Sequence, residues 1–209
     1  MPTDALYRWR NERCAALDSL ESVHARVTEK KRGRQYATEH LNMALFVRLA
    51  AEFQGFCRDL HEDAVLAIVG DLDDVMGVET QRVLLRESMT RGRKLDTGNA
   101  SPGNIGNDFS YIGMAFWQDI RQRYPTKGPK WNITLERLNE ARNAIAHSNA
   151  AKLTEVRSRQ PLTLRTFRAW RGSLNDAASG FDTVLTAYLE HVTGNAHAGG
   201  DQHGQAKEG

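Results

Sequence analysis

Apolar residues recur at three- and four-residue steps along most of this chain, with polar positions between them. That is the period of helices buried along one side. From Asp4 to Arg32 one stripe runs through Leu6, Trp9, Arg13, Leu17, Leu20, Val23 and Val27. Thr3 or Asp4 can cap its first turn, and Lys30-Lys31-Arg32-Gly33 supplies terminal cations and a glycine stop. From Tyr36 to Val69 the stripe Leu41, Leu45, Leu49, Phe53, Phe56, Leu60 and Ala64 is widened by Met43, Phe46, Val47, Ala50 and Cys57, which predicts a central helix. A shorter helix is predicted over Glu79 to Arg93, and Gly70 closes the one before it. Phe109, Ile112, Phe116 and Ile120 share one face of a helix from Asp108 to Arg123. Leu135, Leu138, Ala141 and Ile145 form the buried face of another, from Asn132 to Ser148, with Asn132 as its cap. The last helix, Thr163 to Val192, carries Leu164, Phe167, Trp170, Leu174, Ala178, Phe181, Leu185 and Leu189, and Gly194 stops it.

No stretch alternates apolar and polar residues as a half-buried strand would. The pattern predicts an all-α fold, a helical bundle of about five to six helices with long first, second and last members. It forms a single domain over 1–194, followed by a disordered tail, 195–209, of Gly, His, Gln and Ala. The clearest internal loop is 94–107, rich in Gly, Asn and Ser. No Gly-Lys-Ser/Thr follows its glycines and no strand precedes them, so they do not read as a phosphate loop.

At 209 residues, 40% apolar and 26% charged, the chain can bury one sizeable core. The two cysteines, Cys14 and Cys57, sit far apart in helical patterns and read as buried, reduced thiols. No zinc spacing occurs, and His197 and His203 of the tail have nothing rigid to hold a metal. No metal and no cofactor is expected. The start, Met-Pro-Thr-Asp, has no signal-peptide pattern, and no apolar run nears the ~20 residues of a membrane span. The expectation is a cytoplasmic protein that does not enter a membrane.

Candidate chemistry concentrates in Arg142-Asn143-Ala144-Ile145-Ala146-His147. Asn143 and His147 are four apart and share a helix face, turned away from Leu135, Leu138 and Ile145; Glu136, Asn139 and Glu140 lie on the same outer side. A permanent cation beside a group that titrates near neutrality suits phosphate chemistry. Glu52, in the apolar middle of the second helix, needs a partner: it is either a packing acid or a carboxylate facing the functional arginine. The net charge of +2 implies nothing about nucleic acid, but basic residues bracket the motif helix. Arg121, Arg123, Lys127 and Lys130 precede it. Lys152, Arg157, Arg159, Arg165, Arg168 and Arg171 follow, against one acid, Glu155. The bracket is either a solvated face or a phosphate-attracting rim, with Arg123, Lys130, Arg157 and Arg159 as the RNA-binding candidates. Tyr124, Trp131, Phe167 and Trp170 lie among these bases; periodicity assigns Phe167 and Trp170 to the core rather than to base stacking.

The Arg-x4-His motif, with Asn directly after the Arg, resembles the signature of the HEPN superfamily, and its place near the end of a late helix fits as well. Leu49-Ala-Ala-Glu-Phe-Gln-Gly-Phe-Cys-Arg-Asp-Leu60 resembles an earlier helix of the RiboL-PSP-HEPN-like branch. The resemblance spans roughly residues 35 to 192. It implies a metal-independent endoribonuclease that works as a homodimer through the motif helix, often as a toxin or antiviral-defence effector restrained by an antitoxin or a larger complex. Carried over, His147 would be the general acid/base, Arg142 would hold the scissile phosphate and Asn143 would orient either. The alternative is a catalytically inactive HEPN-like binding or regulatory module.

Overall fold

The computed structural model describes residues 2–28, 38–70 and 78–200. These form nine helices, with no strand among the described residues. Helix α1 is α-helical over Asp4–Arg8, widens to a π-helical turn over Trp9–Arg13 and is α-helical again over Cys14–Val27. Then come α2 (Glu39–Gly70), α3 (Val78–Thr90), α4 (Lys94–Thr97), α5 (Pro102–Ser110), α6 (Phe116–Arg123), α7 (Lys127–Ala146), α8 (Ala150–Arg159) and α9 (Leu164–Gly200).

The all-α class holds, but the count exceeds five to six because three short elements were not read from periodicity. Two of them, α4 and the start of α5, fold the stretch expected as loop 94–107. Ser101 caps α5 by accepting from the Asn104 amide (3.3 Å), and Pro102 follows at the first helical position, where its missing N–H is harmless. The helix expected over 108–123 is broken at 111–115, where Gly113 takes φ 81°. Tyr188 Oη seals the break by donating to the Ile112 carbonyl (2.5 Å). The stretch after the motif helix, read as a basic connection, is α8. The motif helix starts at Lys127 rather than at an Asn132 cap, because Pro129 is tolerated in a first turn. Gly194 does not end α9, whose backbone continues through 195–200, where a disordered tail was expected. The expected stop at Gly33, and residues 201–209 with His203, lie outside the described residues.

Helix α2 is central, with buried residues from Leu45 to Val69. Burial pushes the Cys57 thiol well up, while Cys14 is only half-buried. Both are free. The π turn of α1 keeps Trp9 in the core and lays Arg13 across Gly55 of α2, bridging Glu52 (2.9 Å) and Asp59 (2.7 Å). A Cβ on Gly55 would lie 2.3 Å from the Arg13 guanidinium. Phe181 of α9 gathers the core: Phe53, Phe116, Trp117 and Trp131 all pack against its ring, with centroids 4.9–6.0 Å away. Trp131 brings α7 onto α9 by resting against Gly180, where an added Cβ would meet the ring at 2.4 Å.

A glycine inside a helix ordinarily costs about 1 kcal/mol relative to alanine. At Gly180 the rigid indole reverses that preference, since overpacking costs about 1–3 kcal/mol. Gly180→Ala should therefore lower the urea midpoint of unfolding without changing its slope; an unchanged or higher midpoint would show that Trp131 moves aside.

Candidate functional site

Helix α7 buries Trp131, Leu135, Leu138, Ala141 and Ala144 and half-buries Ile145. Asn139, expected on the outer face, is buried instead, because the chain before α5 covers it. Its Nδ2 donates to the Ala100 carbonyl (2.9 Å) and back to that of Leu135 (2.8 Å). One turn on, Arg142 and Asn143 are half-buried and His147 is exposed. Helical geometry puts Asn143 and His147 about 40° apart, and Arg142 about 140° from His147. The Arg142 guanidinium crosses that gap: Nη1 donates to Asn143 Oδ1 at 2.9 Å. The side chain thus bends toward the face that carries His147. Among the described residues, neither Arg142 nor His147 has a carboxylate partner.

That separates Arg142 from five other shielded arginines. Arg8, Arg13, Arg93, Arg157 and Arg171 are buried or half-buried, and each pairs with at least one acid. Arg142 is held by a neutral amide and keeps its full charge for an incoming anion.

The helix then ends in a tight corner. The Ser148 amide donates to the Ile145 carbonyl (3.1 Å), the Asn149 amide to that of Ala144 (3.0 Å), and Ser148 takes φ 50°. This is a Schellman turn with serine where glycine is usual. Asn149 at once caps α8, accepting from the Lys152 amide (3.0 Å). His147 therefore sits on a rigid bend between two helices rather than at a fraying end.

The other sequence candidates fall elsewhere. Glu52 faces Arg13 (2.9 Å) and Arg48 (2.5 Å), so it is a packing acid of the α1–α2 contact and not a partner of Arg142. Lys130 and Arg123 are exposed without acid partners among the described residues, but they lie toward the wrong end of α7. Lys130 is 17 residues from His147 on one helix, about 25 Å. Arg157 and Arg159 lie on α8, nearer the corner, yet Arg157 pairs with Glu39 (2.5 Å) and Arg159 with Glu140 (2.9 Å) and Glu155 (3.2 Å). Arg168 and Arg171 pair with Glu21 and Asp18 of α1. Most of the expected basic rim is thus neutralised. Phe167 and Trp170 pack edge-on against Phe46 in the core, and Trp131 is buried against Tyr124.

One feature escaped the sequence reading. A groove of about 760 Å³ opens between α2 and the α7–α8 corner, lined in part by Met43, Val47, Ala51, Ile145, Ser148 and Leu153. Met43 and Val47 look like core in the sequence; three exposed alanines, Ala44, Ala51 and Ala150, are what leave the groove open. Among the described residues no three His, Cys, Asp or Glu side chains are grouped to hold a metal, and no helix is long and apolar enough to cross a membrane. Comparison with family models, curated proteins and solved structures gives no match for this chain.

Left-handed backbone costs a residue with a Cβ about 1 kcal/mol. Ser148→Gly should raise stability by about 0.5–1 kcal/mol in chemical denaturation, and Ser148→Val should lower it by more.

Proposed function

We propose that the chain is a metal-independent endoribonuclease of the HEPN type, working as a homodimer through the C-terminal part of α7. The observation that carries this reading is the unpaired Arg142 guanidinium, drawn by Asn143 toward the face of the exposed His147. RNA brings its own nucleophile, the 2′-OH. Cleavage needs a base for that proton, an acid for the departing 5′-oxygen and a cation for the charge that builds on phosphorus. His147 serves as the acid/base, Arg142 binds the scissile phosphate, and Asn143 fixes the Arg142 side chain. One imidazole cannot easily serve both sides of the phosphorus at once. A two-fold dimer supplies the second His and Arg to a shared cleft. The products are 2′,3′-cyclic phosphate and 5′-OH ends. Such an activity suits a toxin or an antiviral-defence effector restrained by an antitoxin or a larger complex.

The ion pairing of Arg157, Arg159, Arg168 and Arg171 favours a second reading, an inactive HEPN-like module that binds or regulates, because the charge of these four arginines is already met by acids of the chain and not left to attract a polyanion.

The two readings part in a cleavage assay on labelled RNA. The first expects wild-type cleavage that survives chelator. Arg142→Ala and His147→Ala should each lower it at least about 100-fold while leaving the unfolding midpoint unchanged. Asn143→Ala should fall between them and the wild type. Chelator-sensitive cleavage, or full activity in His147→Ala, rules the mechanism out. RNA binding without turnover in any variant supports the second reading.

A further inference from the structure

The buried ring of His61 on α2 is not part of the Arg142 site. It is 0% exposed, and its Nε2 lies 3.0 Å from the Asp108 carbonyl oxygen. A carbonyl only accepts, so Nε2 carries the proton and Nδ1 presents a lone pair. That lone pair faces Arg93 Nη1 at 3.5 Å. Arg93, itself buried, leads into α4. Its guanidinium also reaches Asp96 of α4 (3.0 and 3.1 Å) and Glu62 of α2 (3.2 Å), and Glu62 pairs on its outer side with Arg86 of α3. The Asp108 carboxylate, fully buried on α5, accepts from the Lys94 and Leu95 amides, both at 2.8 Å. The charged groups facing the ring are therefore Arg93, Asp108 and Glu62, with Asp96 and Arg86 behind them. Burial first, and then the Arg93 cation, hold the imidazole below its usual range, against the opposite pull of Asp108 and Glu62.

We infer that His61 and Arg93 form a pH-sensitive latch that fastens residues 93–108 to the bundle. A second proton on the ring would sit on Nδ1 and point at the Arg93 donor, N–H against N–H and cation against cation, out of contact with water. Either the ring turns and gives up the Asp108 carbonyl, or Arg93 withdraws. In both cases the segment loses its anchor. Gln54 of α2 also holds the Leu95 and Gly98 carbonyls (2.7 and 3.2 Å) and Trp117 of α6 that of Pro102 (2.6 Å), and one tie leads to the candidate site: Asn139, one turn before Asn143, donates to the Ala100 carbonyl. Acid thus loosens the wall beside Arg142 and Asn143, whatever reaction that site performs. The sign follows from linkage. The folded ring binds its proton more weakly than the unfolded one, so the latch is fully closed above the ordinary imidazole value of about 6.5 and is lost as pH falls below it.

Hydrogen exchange by mass spectrometry at about pH 7.5 and about pH 5, corrected for intrinsic rates, tests this. Peptides from 93–108 should exchange at least about tenfold faster at the acid pH, while peptides from the middle of α9 stay unchanged. His61→Gln keeps a donor for the Asp108 carbonyl and an acceptor for Arg93 but cannot titrate, so its 93–108 peptides should be equally protected at both pH values. If that variant fails to fold, carbon-13 spectra of labelled histidine in the wild-type protein answer instead. The His61 ring should remain in the neutral Nε2–H form below the ordinary imidazole value of about 6.5, and loosening of the segment should track its charging. Equal protection of wild-type 93–108 at both pH values, acid loosening that persists in His61→Gln, or charging of His61 with no loosening overturns the latch.

Discussion

The seating of the Trp131 ring on Gly180 governs where everything on α7 ends up. Indole is flat and rigid, and a helix that must place it against a bare backbone position has little freedom left to rotate or slide. Phe181, beside Gly180, closes over the same ring and reaches Phe53 of α2 and Phe116 of α6, so three helices are referenced to one residue of α9. With α7 clamped near its start, periodicity carries the buried face through Leu135, Leu138 and Ala141 to the corner. The outward direction of His147 follows from a contact some two dozen ångströms away.

Charge in this molecule is used mostly inside it. Arg8, Arg13 and Arg48 interleave with Glu52, Asp59 and Asp63 along the α1–α2 contact, and Lys152, Arg157 and Arg159 of α8 and Arg168 and Arg171 of α9 pair with Glu39, Glu140, Glu155, Glu21 and Asp18. The exposed ones among these pairs add little stability each, about 0–1 kcal/mol, but they cancel the field a run of like charges would project. A stretch that looks strongly basic in the linear chain is therefore nearly neutral in space. Against that background one half-buried guanidinium held by an amide stands out as unspent charge.

The long helices were legible because their apolar stripes are long: α1, α2, α7 and α9 lie close to where the three- and four-residue steps put them. The short ones were not, since one or two turns carry too few apolar positions to show a period. Capping chemistry was the readable signal there. Ser101-Pro102 announces α5, and Asn149 before two alanines announces α8, yet both looked like loop residues. At the site, the outward pose of His147 was readable, whereas the bond from Arg142 to Asn143 depends on a rotamer. Arg48 and Glu155 are within four residues of Glu52 and Arg159, but the partners Arg13 of Glu52, Glu39 of Arg157 and Glu140 of Arg159 come from other elements, and no local pattern reports them. Burial of Asn139 likewise depends on a backbone carbonyl, that of Ala100, which has no side-chain signature.

The widened turn at Trp9–Arg13 is a surplus of one residue in an otherwise regular helix. Its polar members Arg10, Asn11 and Glu12 are exposed, so the surplus costs the core nothing. Were the turn to close to ordinary α-helix with all its residues kept, everything before it would rotate by about 100° and shift by about 1.5 Å relative to Leu17. Thr3 would then miss Asp182, and the Ala5 amide would miss Asp63. The bulge acts as a phase adjuster, bringing the first residues of the chain into step with α2 and α9 while the long stripe behind it keeps its own register.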